Sequence, residues 1–225
     1  MPLAYASELT PEQWDLLTSL LPQPSRTGRP RTVDLKTVID AIFYLLSTAC
    51  AWSLLPRDYP PYSTVYYYFR MWRNDGTWQR IHDHLVQWVR VSEDHFPSPS
   101  AAALDSQSVP NAAMVSDSVG YDAGKKIKGR KHFTLVDTFG WLLAVHVVAA
   151  NVPERDGAKQ VLNKVVAERQ RFPRLVRIWV DGGFSGDAFV QWVMDTFRLI
   201  FEVVLRPKES KGFVLFPKRW VVERT

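Results

Sequence analysis

The hydrophobic rhythm of the chain changes once, between residues 93 and 101, and that change limits the fold more than any single residue does. Before it, apolar residues recur three and four apart. After it, short β-rich runs alternate with amphipathic stretches. In the first part, Thr10, Pro11 and Gln13 give an N-cap, a first-turn proline and a capping-box partner for a helix that carries Trp14, Leu17, Leu20 and Leu21 and stops at Pro22. A second helix follows Asp34 and carries Val38, Ile39, Ile42, Phe43, Leu46 and Ala49. Ser63 is expected to cap a third helix, 64–74, which Asp75 and Gly76 end, and a fourth begins at Thr77 with Trp78, Ile81, Leu85 and Trp88.

The second part predicts strands over 101–104, 131–136 and 141–149, the last two joined by a turn at 137–140. A helix over 156–171, a strand over 175–180, a helix over 186–197, a strand over 200–205 and a helix from Pro217 follow. That order fits a ribonuclease-H-like α/β fold, with a mixed five-stranded sheet, flanking helices, and the first and fourth strands side by side. The expected organisation is a small all-α domain at 1–92, a linker at 93–100 and the α/β domain at 101–225.

Three acids then acquire meaning. Asp105 ends the first strand, Asp181 ends the fourth, and Glu223 lies four residues after Arg219 on one helical face. Neighbouring strands lie ~4.8 Å apart, so acids at their ends can share a cation. Two-metal phosphodiester chemistry wants cations roughly 3.5–4 Å apart, held by hard oxygen donors. Gly182 and Gly183 leave the rim beside Asp181 free of side chains. Each acid also has a plainer reading: a strand-end or turn aspartate for Asp105 and Asp181, a solvated helix face for Glu223. Asp137 and Asp122 read as turn and loop residues and Asp156 as an N-cap. His82 and His84 read as a polar helix face rather than a metal site.

Charge points to a polyanion. The chain carries a net charge of +5, all of it after residue 93: residues 1–93 hold nine basic and nine acidic side chains, the remainder nineteen and fourteen. Lys125, Lys126, Lys128, Arg130 and Lys131 crowd together with no acid between them, a pattern suited to phosphates. Arg29 and Arg31 sit in a Gly-Arg-Pro-Arg segment that either reaches a minor groove or merely links helices. Tyr66, Tyr67 and Tyr68 with Arg70 and Arg73 read equally as a recognition helix or as core aromatics. Cys50 stands alone, which excludes a disulfide framework or a thiolate zinc site. No apolar run is long enough for a membrane span and no leader is expected; a cytoplasmic, nucleoid-associated protein fits.

At these residues the chain resembles the bacterial insertion-sequence transposases of the DDE class, close to insertion-sequence family five. The run beginning at Asp105 resembles that family's first-acid motif, the segment from Gly120 to Lys131 its basic segment, and Leu135 to Thr138 its first hairpin. Asp181, Gly182, Gly183 and Phe184 resemble the second-acid motif. Phe216, Arg219 and Glu223 fill the first three places of the third. The N-terminal helices resemble the family's leading domain. The chain departs from the family at Pro110 (usually Lys), Phe133 (often His) and Phe184 (usually Tyr). It ends two residues after Glu223, short of the last basic position, and so reads as a truncated copy.

The resemblance implies a transposase that binds the element's terminal inverted repeats and target double-stranded DNA, as a homodimer in the DNA complex. Asp105, Asp181 and Glu223 would hold two Mg²⁺ (or Mn²⁺) ions for strand cleavage and transfer. Lys125, Lys126, Lys128, Arg130, Lys131, Arg219, Arg29 and Arg31 would contact DNA. Two rivals stand beside it. A non-transposing nuclease of the same fold would lack flanking inverted repeats. A catalytically dead DNA-binding remnant would bind DNA without cutting it.

Overall fold

A computed structural model describes residues 5–23, 31–112 and 117–204. They pack as two units, Met1–Leu85 and Val86–Thr225.

The first unit is helical. Helix α1 (Pro11–Thr18) starts with the expected capping box: Gln13 N donates to Thr10 Oγ1 at 3.2 Å and Thr10 N donates to Gln13 Oε1 at 2.9 Å. Helix α2 (Leu35–Thr48) is capped by Asp34 and buries Val38, Ile39, Ile42 and Leu45. Within it Asp40 is buried, yet paired. It accepts from Leu9 N at 2.8 Å and from Lys36 Nζ at 2.7 Å, which ties the segment before α1 to α2. Leu46 does not join the buried stripe and is 68% exposed. Helix α3 (Tyr62–Asn74) begins earlier than expected, with Pro61 at the N-cap, so Ser63 lies in the first turn and caps nothing. Trp72 of α3 is buried edge-on against Trp78 at 5.3 Å, which locks α3 to the start of α4 (Thr77–Ser92).

The second unit is a mixed sheet with helices α5 (Glu154–Ala167) and α6 (Asp187–Phe197) on one face. Its strands are β1 (Ala101–Pro110), β2 (Gly120–Asp122), β3 (Ile127–Asp137), β4 (Leu142–Ala149), β5 (Arg177–Val180) and β6 (Ile200–Val203). β4, β3, β1, β5 and β6 lie in that order, with β1 antiparallel to β3 and parallel to β5. This is the ribonuclease-H-like arrangement, with β1 beside β5. Several details differ from what the sequence predicts: β3 starts at Ile127, and α5 starts at Glu154 behind Pro153, so Asp156 lies in its first turn and is not the N-cap. The short β2 adds a sixth strand on β3, and β1 runs on to Pro110 because β3 pairs with it along its whole length. Asp105 therefore sits within a strand, not at its end.

Leu104, Phe133, Leu135, Ile178 and Val180 from the sheet meet Val161, Leu162 and Val165 of α5 and Val193 of α6. Burying each of these side chains contributes roughly 1.5–3 kcal/mol. Gly157 permits the close seating of α5, since a Cβ there would fall inside the Phe133 ring. Arg90, on the last turns of α4, belongs to this unit. It forms a buried ion pair with Asp137, whose Oδ1 accepts from Phe139 N at 2.9 Å and Trp141 N at 3.0 Å. Arg90 Nε also donates to Phe96 O at 2.8 Å. Removing one partner of such a pair costs about 3–5 kcal/mol, because the other charge stays buried.

Among the described residues no helix is long and apolar enough to cross a membrane. The expected helix from Pro217 lies outside the described residues.

Candidate active site

Strand register sets the geometry. β1 and β5 run parallel with Ala101 opposite Arg177 and Leu104 opposite Val180, so the next residues, Asp105 and Asp181, leave the paired region side by side. β5 stops there, while β1 continues against β3 alone. A notch opens at the carboxyl end of β5, where ligands commonly bind in open α/β sheets.

The two carboxylates occupy different environments. Asp105 is half-buried. Desolvation, and then the charge of Asp181, push its carboxyl above the usual range, against a backbone hydrogen bond at Ser106 and the Lys125 ammonium, which lower it. Asp181 is exposed, and its Oδ1 accepts from Gly183 N at 2.9 Å, starting the tight turn Gly182–Phe184. Two neighbouring anions, one of them partly desolvated, suit a hard divalent cation. Among the described residues no group of three or more His, Cys, Asp and Glu side chains gathers into a metal cage. Glu223 and Arg219 lie outside the described residues.

The basic segment is not one surface. Lys125 Nζ donates to Ser106 O at 2.9 Å, which brings its charge to the strand that carries Asp105. Lys126 and Lys128 are exposed. Arg130 is partly buried and donates to Asp117 O at 2.9 Å. Lys131 is only 3% exposed, because it faces α5 on the same side of β3 as Phe133. Its ammonium donates to Val152 O at 3.0 Å and Glu154 Oε1 at 2.9 Å, and lies 3.4 Å from Asp122 Oδ2. Strand alternation explains the split: neighbouring residues of β3 point to opposite faces. Lys131, expected at the DNA surface, is spent inside the unit.

Sequence reading passed over Asp122 as a loop residue and did not single out Glu154. Asp122 accepts from Ser108 Oγ at 2.6 Å and from the backbone N–H groups of Gly124 and Lys125 at 3.0 Å each. Those bonds hold its carboxyl down at about 2, the Ser108 hydroxyl first among them. Asp122 thereby shapes the turn that aims Lys125 at β1, and Lys131 links it to the first turn of α5. Glu154 flanks the loop after Asp181: a Cβ on Gly183 would lie 3.5 Å from its Cγ. A lysine in a strand between two acids far apart in sequence gives no periodic signal.

In the helical unit, Arg31 lies with Ser63, Thr64, Tyr67 and Tyr68 around an open cleft of about 430 Å³. Tyr66 and Tyr67 are exposed, whereas Tyr68 is half-buried against Trp72. Arg29 lies outside the described residues.

Comparison with known proteins gives a consistent result. Residues 9–82 match the family model described as "Putative transposase of IS4/5 family", and residues 96–225 match that of the transposase DDE domain. A protein of insertion element IS402 from Burkholderia cepacia, described as an uncharacterized 16.2 kDa protein, is 30% identical over 104 residues, covering 44% of this chain and 69% of its own length. The cryo-EM structure of a piggyBac transposase synaptic complex with hairpin DNA aligns with a TM-score of 0.40 at 15% identity, over 85% of this chain. The alignment spans 46% of that longer protein.

Proposed function

The chain belongs to the DDE transposases of the IS4/5 type, and on that premise we propose that it binds the terminal inverted repeats of an insertion sequence and performs metal-dependent cleavage and transfer of DNA strands. One observation carries the reading: the Leu104–Val180 register, which brings Asp105 and Asp181 together at one notch of the sheet. With Glu223 they would hold Mg²⁺ or Mn²⁺, two ions per centre. Such ions, when bound, supply Lewis acidity and a more acidic attacking water.

The chain's own residues orient the DNA. Gly182 and Gly183 leave the rim open to a sugar-phosphate backbone. Lys125, held by the Asp122 turn, offsets the anionic notch so that a phosphate can approach Asp105. Lys126, Lys128 and Arg130 lie in the neighbouring turn and strand and extend that positive edge. Repeat recognition falls to the helical unit, residues 1–85, with Arg29, Arg31 and the exposed face of α3, and strand cleavage to the unit from residue 86 onward. The reading includes Arg219 as a phosphate contact, a homodimer on DNA and a cytoplasmic, nucleoid-associated location.

The test is a nicking and strand-transfer assay in Mg²⁺ on a plasmid bearing paired element ends. Nicking at the ends followed by joining to target DNA is the outcome that supports the transposase reading. Asp105→Asn and Asp181→Asn should bind the same DNA and leave it intact. Cleavage by either variant at the wild-type rate would remove these residues from the centre. Cleavage without end specificity or joining would favour a plain nuclease, and binding without cleavage a remnant.

A further inference from the structure

The first turn of α5 grips the loop that follows Asp181 from two places. Buried Lys131 pins this turn by holding both Val152 O and the Glu154 carboxylate. Glu154 then lies along Gly183, as described above. The next residue, Arg155, lays its guanidinium over Gly186: a Cβ there would stand 2.9 Å from Nη2 and 3.1 Å from Cζ. Gly186 has φ +128°, a conformation that L side chains rarely adopt, so backbone conformation and the arginine both call for glycine there. Arg155 is exposed, and among the described residues no carboxylate lies within ion-pair distance of it. A cation thus lies against the loop that follows Asp181 with its charge uncommitted.

We propose that Arg155 is a phosphate-binding residue of the active centre, receiving the DNA strand at the 181–186 loop as Lys125 does beside Asp105. The inference rests on the reading of Asp105 and Asp181 as the catalytic pair. Its chemistry follows from the side chain. A guanidinium presents a planar fork of N–H donors that matches two phosphate oxygens at once. The missing Cβ at Gly186 makes room for the guanidinium itself, so the fork can lie close against the loop that the strand would approach. Lys131 acts on DNA only indirectly, by fixing the turn that carries Arg155.

The test measures affinity of the full chain for fluorescein-labelled duplex DNA by anisotropy across a salt series in EDTA, where no cleavage intervenes. Each phosphate contact contributes about 0.9 to the slope of log K against log salt. Arg155→Gln should weaken binding and flatten the slope by about that amount. Arg155→Lys should keep the slope with lower affinity, since it keeps the charge and loses the fork. Arg198→Gln, an exposed cation at the far end of α6, should change neither. An unchanged slope in Arg155→Gln would overturn the proposal and leave Arg155 as a packing residue of the loop. So would failure of the wild-type chain to bind DNA, or an equal effect of Arg198→Gln. Should Asp105→Asn still nick DNA, the catalytic reading falls while the salt slopes still report on Arg155.

Discussion

At the scale of single residues, two departures from the family's pattern turn out to be one. Phe133, where the family often has His, and Phe184, where it usually has Tyr, are both fully buried and meet edge-on at 6.4 Å. Their closeness predicts that a hydroxyl at 184 and an imidazole at 133 would reach each other if both were introduced here. Phe184→Tyr alone should then destabilise the chain, because the buried hydroxyl gains no partner; about 1–3 kcal/mol is the usual cost. Adding Phe133→His should restore part of that loss. A double-mutant cycle by urea unfolding measures the coupling, and strictly additive changes would refute it. Sequence made both departures visible, but not their contact, since 133 and 184 lie on separate elements that only the packing of α5 over β3 brings together.

At the scale of elements, the turn from β2 to β3 is held by one carboxylate. Asp122 sits at the end of β2, takes the Gly124 and Lys125 N–H groups and the Ser108 hydroxyl, and faces Lys131. Its carboxyl, held at about 2 when folded, reverts to about 3.9 in the unfolded chain. A depressed folded value means stability that is fully present above the unfolded value and is lost as pH falls through the folded one. The melting temperature of wild type should therefore exceed that of Asp122→Asn above pH ~4, with the gap narrowing down to pH ~2. Melting curves of the two proteins across that range decide it, and a gap that stays constant to pH ~2 would refute the assignment. Elements of this kind are partly legible in sequence. The capping box of α1 was readable, because it depends on near neighbours. The extra strand β2 and the full length of β1 were not, because pairing with β3 creates them.

At the scale of the whole molecule, order along the chain carried most of the architecture. The single change of rhythm near residue 93 foretold a helical unit followed by an α/β unit, and the strand order put β1 beside β5. It also placed Asp105 near Asp181, through a parallel register that a β-α-β succession requires. What remained hidden was how the positive charge divides. A run of five cations looks uniform in sequence, yet β3 turns Lys131 inward to bind Asp122 and Glu154 while Lys126 and Lys128 face solvent. Arg155, isolated in the sequence between two acids, is brought by α5 to the Asp181 loop. The central claim is that Asp105 and Asp181 form one divalent-cation centre. Mn²⁺ titration of the full chain, followed by the loss of the free-ion electron paramagnetic resonance signal, tests this most directly. The account predicts binding by the wild type that weakens sharply in both Asp105→Asn and Asp181→Asn and is unaffected in Asp195→Asn on the outer face of α6. Equal Mn²⁺ binding by wild type and both variants would contradict it.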